Sequence, residues 1–171
     1  MQEKFTFNIE TPRFKKKMIL FKEELESREH VVLKLLAYVI FYDERLKIEF
    51  SIGTHYKPDL VIEGDHGVPE LWIDCGKITL KKVEGVTSKF KRTKIIILKK
   101  GKTEAVSLKK LSEKRVDSFE NLQFLYFDRG VVDGIADVLD RSNDLMVWDV
   151  TENTLGLAFG EHTFETVIHY A

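Results

Sequence analysis

Alternation of apolar and polar residues, together with short apolar runs bounded by turn residues, predicts a series of β-strands along the first half of the chain. Five such strands are expected, at Lys4–Ile9, Lys16–Phe21, Lys47–Ile52, Asp59–Glu63 and Glu70–Cys75. Pro12 separates the first two, which predicts an opening hairpin. The turn sequence GDHG between the last two is short enough to make them a second hairpin.

Helical periodicity and continuous apolar runs account for most of the remaining chain. Glu24–Tyr42 gives the clearest helix, because Val32, Leu36 and Val39 recur on one face. Further helices are predicted at Leu80–Phe90, Thr103–Arg115 and Gly130–Leu139. Further strands are predicted at Lys94–Leu98, Asn121–Phe127, Asp144–Val150, Thr154–Phe159 and His162–Tyr170. The pattern indicates an α/β fold with a mixed central sheet flanked by helices, in a single domain over residues 1–171.

Composition excludes several classes of protein. A single cysteine, Cys75, excludes an intrachain disulfide and a cysteine-rich zinc site. We expect a cytoplasmic protein with no membrane partner, because the first residues lack the apolar run of a signal peptide and no stretch reaches the length of a membrane span. Trp72 and Trp148 are interpreted as core residues, and no pattern indicates an oligomeric state.

The net charge of −1 conceals a strong segregation of charge. Residues 1–76 carry a net charge of −3 and residues 116–171 a net charge of −9. Between them, residues 77–115 carry 14 basic and 3 acidic side chains. A basic segment of this kind can attract nucleic acid, although a solvated helix face and a charged loop explain it equally well.

Two carboxylates occupy informative positions in the second predicted hairpin. Asp59 opens one strand immediately after Pro58, and Asp74 ends the next strand. In an antiparallel pair these two positions lie at the same edge of the sheet. Two carboxylates held together repel each other, and Mg²⁺ or Mn²⁺ relieves that repulsion, with the carbonyl of Cys75 as a further oxygen ligand. The alternative is that each aspartate caps a strand or turn in solvent.

The residues around this hairpin resemble a known signature. The segment KPDLVIEGDHGVPELWIDCGK is similar to the motif of PD-(D/E)xK nucleases, and the predicted order α–β–β–β–α–β over residues 24–98 is similar to the core of that superfamily. HVVLKLLAYVIFYDERL, HYKPDL and LWIDCG together resemble the YaeQ family of small bacterial proteins. The resemblance implies a restriction-endonuclease-like core with an N-terminal hairpin and C-terminal strands.

The resemblance also implies roles for particular residues. Asp59 matches the aspartate of the Pro-Asp pair, and Asp74 matches the acidic position of (D/E)xK, so both are candidate catalytic residues and metal ligands. Glu29 matches an acidic residue that many members carry in the first helix, which makes it a further candidate ligand. Alternatively, Glu29 is a first-turn acid favoured by the helix dipole.

The lysine of the motif is missing, because Gly76 stands two residues after Asp74. This lysine normally helps to position the attacking water and to stabilise negative charge. Lys82, slightly favoured over Lys81, is the candidate replacement from the following helix. Lys57, Lys77 and Lys89 are candidate nucleic-acid contacts, and each of these lysines alternatively belongs to a solvated basic surface.

Two functions compete at this point. The Asp59–Asp74 pair favours a Mg²⁺-dependent nuclease, with nucleic acid as its partner. Gly76 favours a catalytically degenerate relative that binds nucleic acid or a protein. No feature of the sequence favours a small-ligand or regulatory protein.

Overall fold

One ten-stranded sheet with four helices around it makes up the computed structural model of the chain, which describes residues 2–117 and 119–171. The strands are β1 Glu3–Glu10, β2 Lys15–Lys22, β3 Lys47–Ile48, β4 Leu60–Ile62, β5 Leu71–Cys75, β6 Lys94–Leu98, β7 Leu122–Phe127, β8 Ser142–Val150, β9 Thr154–Phe159 and β10 His162–Tyr170. The helices are α1 Arg28–Ile40, α2 Leu80–Lys89, α3 Lys102–Glu113 and α4 Val131–Val138. The predicted mixed sheet flanked by helices is therefore confirmed.

The strands lie in the order β2-β1-β8-β9-β10-β7-β6-β5-β4-β3. Most neighbouring strands are antiparallel, and the parallel pairs are β1 with β8, β5 with β6, and β6 with β7. A short 3₁₀ turn at Asp65–Gly67 joins β4 to β5, which form the predicted hairpin. From α1 to β6 the elements follow the predicted order of helix, three strands, helix and strand.

Helices cover the two faces of the sheet unevenly. Helices α1 and α4 pack on one face, where their apolar residues share the main core cluster with strands that include β1 and β9. On the other face, α2 and α3 pack over the middle strands, where Trp72, Val83 and Leu108 belong to a second core cluster. The residues of β6 alternate between these two clusters, so β6 is covered on both faces, as its continuous apolar sequence predicts.

Three predictions about local structure are wrong. The first helix begins at Arg28 rather than Glu24, because the Ser27 side chain accepts a hydrogen bond from the His30 N–H and so caps the helix there. Strand β3 ends at Ile48, because Glu49 adopts φ 53°, outside the β region. Trp148 is 45% exposed, since it lies on the uncovered face of β8.

The helices of the described part of the chain are all too short or too polar to cross a membrane.

Candidate functional site

Asp59 and Asp74 lie at the same end of the β4–β5 hairpin. Leu60 pairs with Ile73 in the antiparallel register, and the Asp59 N–H continues this ladder by donating to the Ile73 carbonyl at 3.0 Å. This register brings the position before β4 beside the end of β5. The convergence of the two aspartates that the sequence predicts is therefore present in the structure.

Asp59 is held by two donors from two different elements. Its Oδ2 accepts the backbone N–H of Cys75 at 2.8 Å and lies 3.2 Å from Nε2 of His30, which projects from α1. The side chain of Asp59 remains 21% exposed. Asp59 is thus fixed in orientation at the surface of the site.

Asp74 is buried, and both of its carboxylate oxygens accept hydrogen bonds from side chains. Oδ2 accepts the indole N–H of Trp72 at 2.7 Å, and Oδ1 accepts from Lys82 Nζ at 2.8 Å. Burial raises the pKa of Asp74, the ammonium of Lys82 opposes that rise, and the charge of Asp59 adds to it. A second positive charge at this point would therefore stabilise the ionised carboxylate further.

Lys82 reaches Asp74 from the first turn of α2, which Thr79 caps through a hydrogen bond to the Lys82 N–H. Its ammonium donates one hydrogen bond to Asp74 and one to the Lys57 carbonyl at 2.9 Å. Since an ammonium has three N–H donors, one is left for a substrate oxygen or a water. The geometry thus distinguishes Lys82 from Lys81, which is exposed.

Gly85 of α2 explains how the loop before Asp59 is positioned. A Cβ at Gly85 would lie 2.4 Å from the ring of Tyr56, so only glycine lets this ring pack against the helix. Tyr56 belongs to the partly buried residues around the second core cluster. The contact holds the Lys57 carbonyl close to α2, where it accepts from Lys82.

The backbone at Gly76 accounts for the missing motif lysine. Gly76 has φ +73°, and a Cβ there would lie 3.4 Å from Cδ2 of His30. A lysine at this position would therefore be strained, and its side chain would start toward α1, whereas Asp74 lies beside α2.

Restoring the motif lysine should therefore destabilise the protein. We expect Gly76→Lys to lower the free energy of unfolding by about 1–3 kcal/mol in urea denaturation, because a non-glycine residue is forced into the left-handed region. Gly67→Lys is the matched control, since Gly67 has φ +74° with no atom within 4 Å of a built Cβ. An equal loss in both variants would show that the His30 contact costs nothing, and an unchanged Gly76→Lys stability would contradict the prediction.

A series of linked ion pairs, the ion-pair chain, extends from α1 to Asp59, and the sequence did not predict it. Glu26 Oε2 lies 2.6 Å from His30 Nδ1 and 2.7 Å from Lys34 Nζ, and Lys34 also contacts Glu49 at 2.7 Å. Lys34 is fully buried. Glu26, His30 and Lys34 are spaced four residues apart, and this spacing is the signal that could have revealed them.

Within this series of ion pairs, hydrogen bonds shift the pKa values of His30 and Glu26 more strongly than burial does. Burial alone would lower the pKa of His30, but hydrogen bonds to Asp59 and Glu26 raise it to about 9. Burial alone would raise the pKa of Glu26, but His30 and Lys34 lower it to about 2. At neutral pH, His30 is therefore an imidazolium that donates to Asp59 and Glu26.

The other predicted residues surround the site, and of these Cys75 alone bonds to one of the two carboxylates, through its backbone N–H to Asp59. Glu29 is half-buried and lines a neighbouring pocket, and the acidic residue near the start of α1 that joins the ion-pair chain is Glu26. Lys57 contributes its carbonyl, and Cys75 contributes its backbone N–H while its thiol is buried. Lys77 and Lys89 are exposed.

The two carboxylates of the acidic pair keep unoccupied acceptor positions that can bind a hard cation. Each carboxylate offers about four acceptor positions, and the described donors occupy two on Asp59 and two on Asp74. Among residues 2–117 and 119–171, no three His, Cys, Asp or Glu side chains form a metal-binding group. Mg²⁺ is commonly held by one or two carboxylates together with water and substrate phosphate, so the residues present fit this ion.

Basic side chains gather on the face that carries α2 and α3. Segment 77–115, with its net charge of +11, forms α2, β6 and α3, and Lys82 reaches Asp74 from the same face. Exposed basic residues there include Lys81, Lys89, Lys91, Arg92, Lys102 and Lys110. Lys82 therefore connects this basic segment to the acidic pair.

Comparison with known proteins gives consistent matches. The family model described as YaeQ protein matches residues 18–168. A relative from Salmonella typhi, described as uncharacterized protein YaeQ, is 22% identical over 128 residues, which cover 75% of this chain and 70% of that protein.

Two crystal structures share the fold. The YaeQ protein from Xanthomonas axonopodis pv. citri superposes with a TM-score of 0.78 at 17% identity, over 99% of this chain and 96% of that one. The YaeQ protein from Pseudomonas syringae superposes with a TM-score of 0.75 at 18% identity, over 99% of this chain and 94% of that one.

Proposed function

The chain belongs to the YaeQ family, and from that premise and the geometry around Asp74 we propose that it is a divalent-metal-dependent phosphodiesterase that hydrolyses nucleic acid. The proposal assigns the segment from α1 to β6 to the PD-(D/E)xK superfamily, with a restriction-endonuclease-like core. One observation carries it: Lys82 Nζ lies 2.8 Å from Asp74 Oδ1. A lysine is therefore present beside the motif acid, although Gly76 stands at the usual position of the lysine.

Each residue of the site has a defined task in this proposal. Asp59 and Asp74 hold Mg²⁺ or Mn²⁺ through their remaining acceptor positions. When bound, the ion supplies Lewis acidity toward the phosphate oxygens. Lys82 directs its third N–H to the phosphate or to the attacking water, where it stabilises developing negative charge.

The surroundings fix these groups before substrate arrives. His30 and the Cys75 N–H orient Asp59, and the Trp72 indole orients Asp74. The basic residues of α2 and α3 attract the phosphate backbone to the same face. A cytoplasmic protein with a nucleic-acid partner fits this assignment.

Replacement of Lys82 tests the proposal. We expect Lys82→Met to lower the rate of Mg²⁺- or Mn²⁺-dependent cleavage of labelled single- and double-stranded DNA and RNA by about 100-fold, as expected for the loss of one charge-stabilising donor. Lys81→Met is the matched control, because Lys81 lies next in sequence on the same helix and is exposed. Equal rates for the two variants would remove Lys82 from the mechanism.

Metal binding is measured separately from cleavage. Asp59→Asn should weaken Mg²⁺ binding in calorimetric titration, whereas Lys82→Met should retain it. Cleavage that persists in a metal chelator would overturn the assignment of a metal-dependent enzyme.

A non-catalytic nucleic-acid-binding module is the second candidate. It is favoured by the observation that Asp74 is 2% exposed and that both of its oxygens already accept protein hydrogen bonds. Binding to nucleic acid that weakens with salt, without cleavage on any substrate in either metal, would select this candidate.

A further inference from the structure

Two lysines are buried in the described part of the chain, and their partners differ. Lys34 lies between two carboxylates, those of Glu26 and Glu49. Lys99 is 9% exposed, and its ammonium donates to the Gly76 carbonyl. No carboxylate of residues 2–117 and 119–171 lies within 4.0 Å of the Lys99 ammonium. A buried ammonium without a counter-charge is costly. The burial of Lys99 therefore needs an explanation, whereas the two carboxylates explain the burial of Lys34.

Lys99 lines a pocket and has a fixed backbone. It follows β6 directly, and its backbone N–H donates to the Leu125 carbonyl at 2.8 Å. The pocket has a volume of about 630 Å³ and is lined by residues that include Lys99, Gly76, His30, Glu29 and Glu104. Lys99 therefore combines a rigid backbone with access to a cavity of the size of a small-molecule site.

The surroundings of the two buried lysines shift their pKa values in opposite directions. Burial lowers the pKa of the Lys99 amine, and the charge of Glu104 opposes this effect only in part. For Lys34, by contrast, the two carboxylates overcome the effect of burial and raise the pKa. A desolvated lysine of lowered pKa is a nucleophile toward carbonyl carbon.

Anion binding is not the best use of this pocket. Helix α3 begins beside it, but Glu104 already occupies that end, since its Oε2 lies 3.1 Å from the position of a Cβ on Gly101. Glu23 and Glu29 add further negative charge to the lining. Lys77 and Lys100 line the same pocket, so its lining carries charges of both signs and does not select for an anion.

We infer that Lys99 is a reactive amine that forms a reversible imine with an aldehyde bound in this pocket. The lone pair of Nζ forms a bond to the carbonyl carbon, and the carbonyl oxygen takes a proton to become a hydroxyl. Nitrogen gives up its two protons in turn: the first makes this hydroxyl, and the second lets the hydroxyl leave as water while the C=N bond forms. One amine and one aldehyde thus give one imine and one water, with no oxidant or reductant.

The aldehyde has two sources, a free small molecule or the ring-opened sugar of an abasic nucleotide. Both present the same carbonyl chemistry to Lys99. The inference does not depend on the proposed phosphodiesterase activity, because no metal ion and no residue of the Asp59–Asp74 pair takes part.

Reductive trapping tests the inference on the full chain. The protein is incubated at neutral pH with cyanoborohydride and either glyceraldehyde, an uncharged probe, or an oligonucleotide that contains an abasic site. Peptide mass spectrometry then locates the modified lysines. We expect Lys99 to be modified about tenfold faster than Lys100, an exposed neighbour that lines the same pocket, because each unit of lowering in the Lys99 pKa raises its neutral fraction about tenfold.

Variants and site mapping make the result decisive. Lys99→Arg should abolish the modification, and Lys100→Arg should leave it unchanged. Modification spread over exposed lysines, with none preferred at Lys99 in the wild-type chain, would overturn the inference even if Lys99→Arg failed to fold. Modification by glyceraldehyde alone would assign a free aldehyde, and modification by the oligonucleotide would assign an abasic nucleic acid.

Discussion

Replacement of Lys34 by methionine is expected to lower the free energy of unfolding by about 3–5 kcal/mol, the cost of breaking a buried ion pair by removing one partner. The ammonium of Lys34 is fully buried, and it contacts Glu26 and Glu49 at 2.7 Å each. Methionine fills a similar volume but leaves the Glu26 carboxylate, whose side chain is 9% exposed, with His30 and the Glu23 backbone N–H as its remaining partners. Because Glu26 cannot regain full hydration in the folded state, the lost attraction is not replaced.

Urea denaturation of wild-type and variant protein measures this loss. Lys47→Met is the matched control, because Lys47 pairs with Glu63 at 2.9 Å while both side chains are about half exposed. Exposed pairs of this kind contribute about 0–1 kcal/mol. Similar losses in the two variants would mean that burial adds nothing to the Lys34 pair, and the prediction would be wrong.

The ion-pair chain also shows how far the sequence could predict this structure. Segments such as Lys94–Leu98 and Thr154–Phe159 were predicted with their observed bounds, because turn residues or charges flank each apolar run. The β4–β5 hairpin was predicted from the short GDHG turn, and the convergence of Asp59 and Asp74 was predicted from that hairpin. Local pattern was therefore sufficient wherever neighbouring residues in the sequence determine the outcome.

Features that depend on long-range contacts could not be predicted from the sequence. Glu49 was assigned to a strand by its alternation, but its bond to Lys34, fifteen residues earlier, accompanies a backbone with φ 53°. Trp148 was assigned to the core, but none of the described helices covers its side of β8, and the ring lies on Gly156. Lys99 resembled any other lysine of the basic segment until the fold placed it beside Gly76. In each case, the deciding partner is distant in the sequence or belongs to another layer.

The acid dependence of stability is the second large effect that the ion-pair chain predicts. The pKa of Glu26 is about 2 in the folded protein, below its ordinary value of 4.5. A carboxyl group with a lowered folded-state pKa stabilises the protein fully above its unfolded pKa, and this stabilisation is lost as the pH falls through the folded pKa. The difference between the two values corresponds to about 3 kcal/mol, which is present above pH 4.5 and absent below pH 2.

Comparison with Glu26→Gln isolates this contribution, because other carboxyl groups titrate in both proteins. We expect the wild type to be more stable than Glu26→Gln near neutral pH and the two stabilities to converge as the pH falls from 4.5 toward 2. Glu63→Gln is the control, since its side chain is 48% exposed and its curve should stay close to that of the wild type throughout. A constant difference between wild type and Glu26→Gln across this range would mean that the carboxylate charge of Glu26 does not stabilise the fold, and the chain from Glu49 to Asp59 would then owe its order to packing alone.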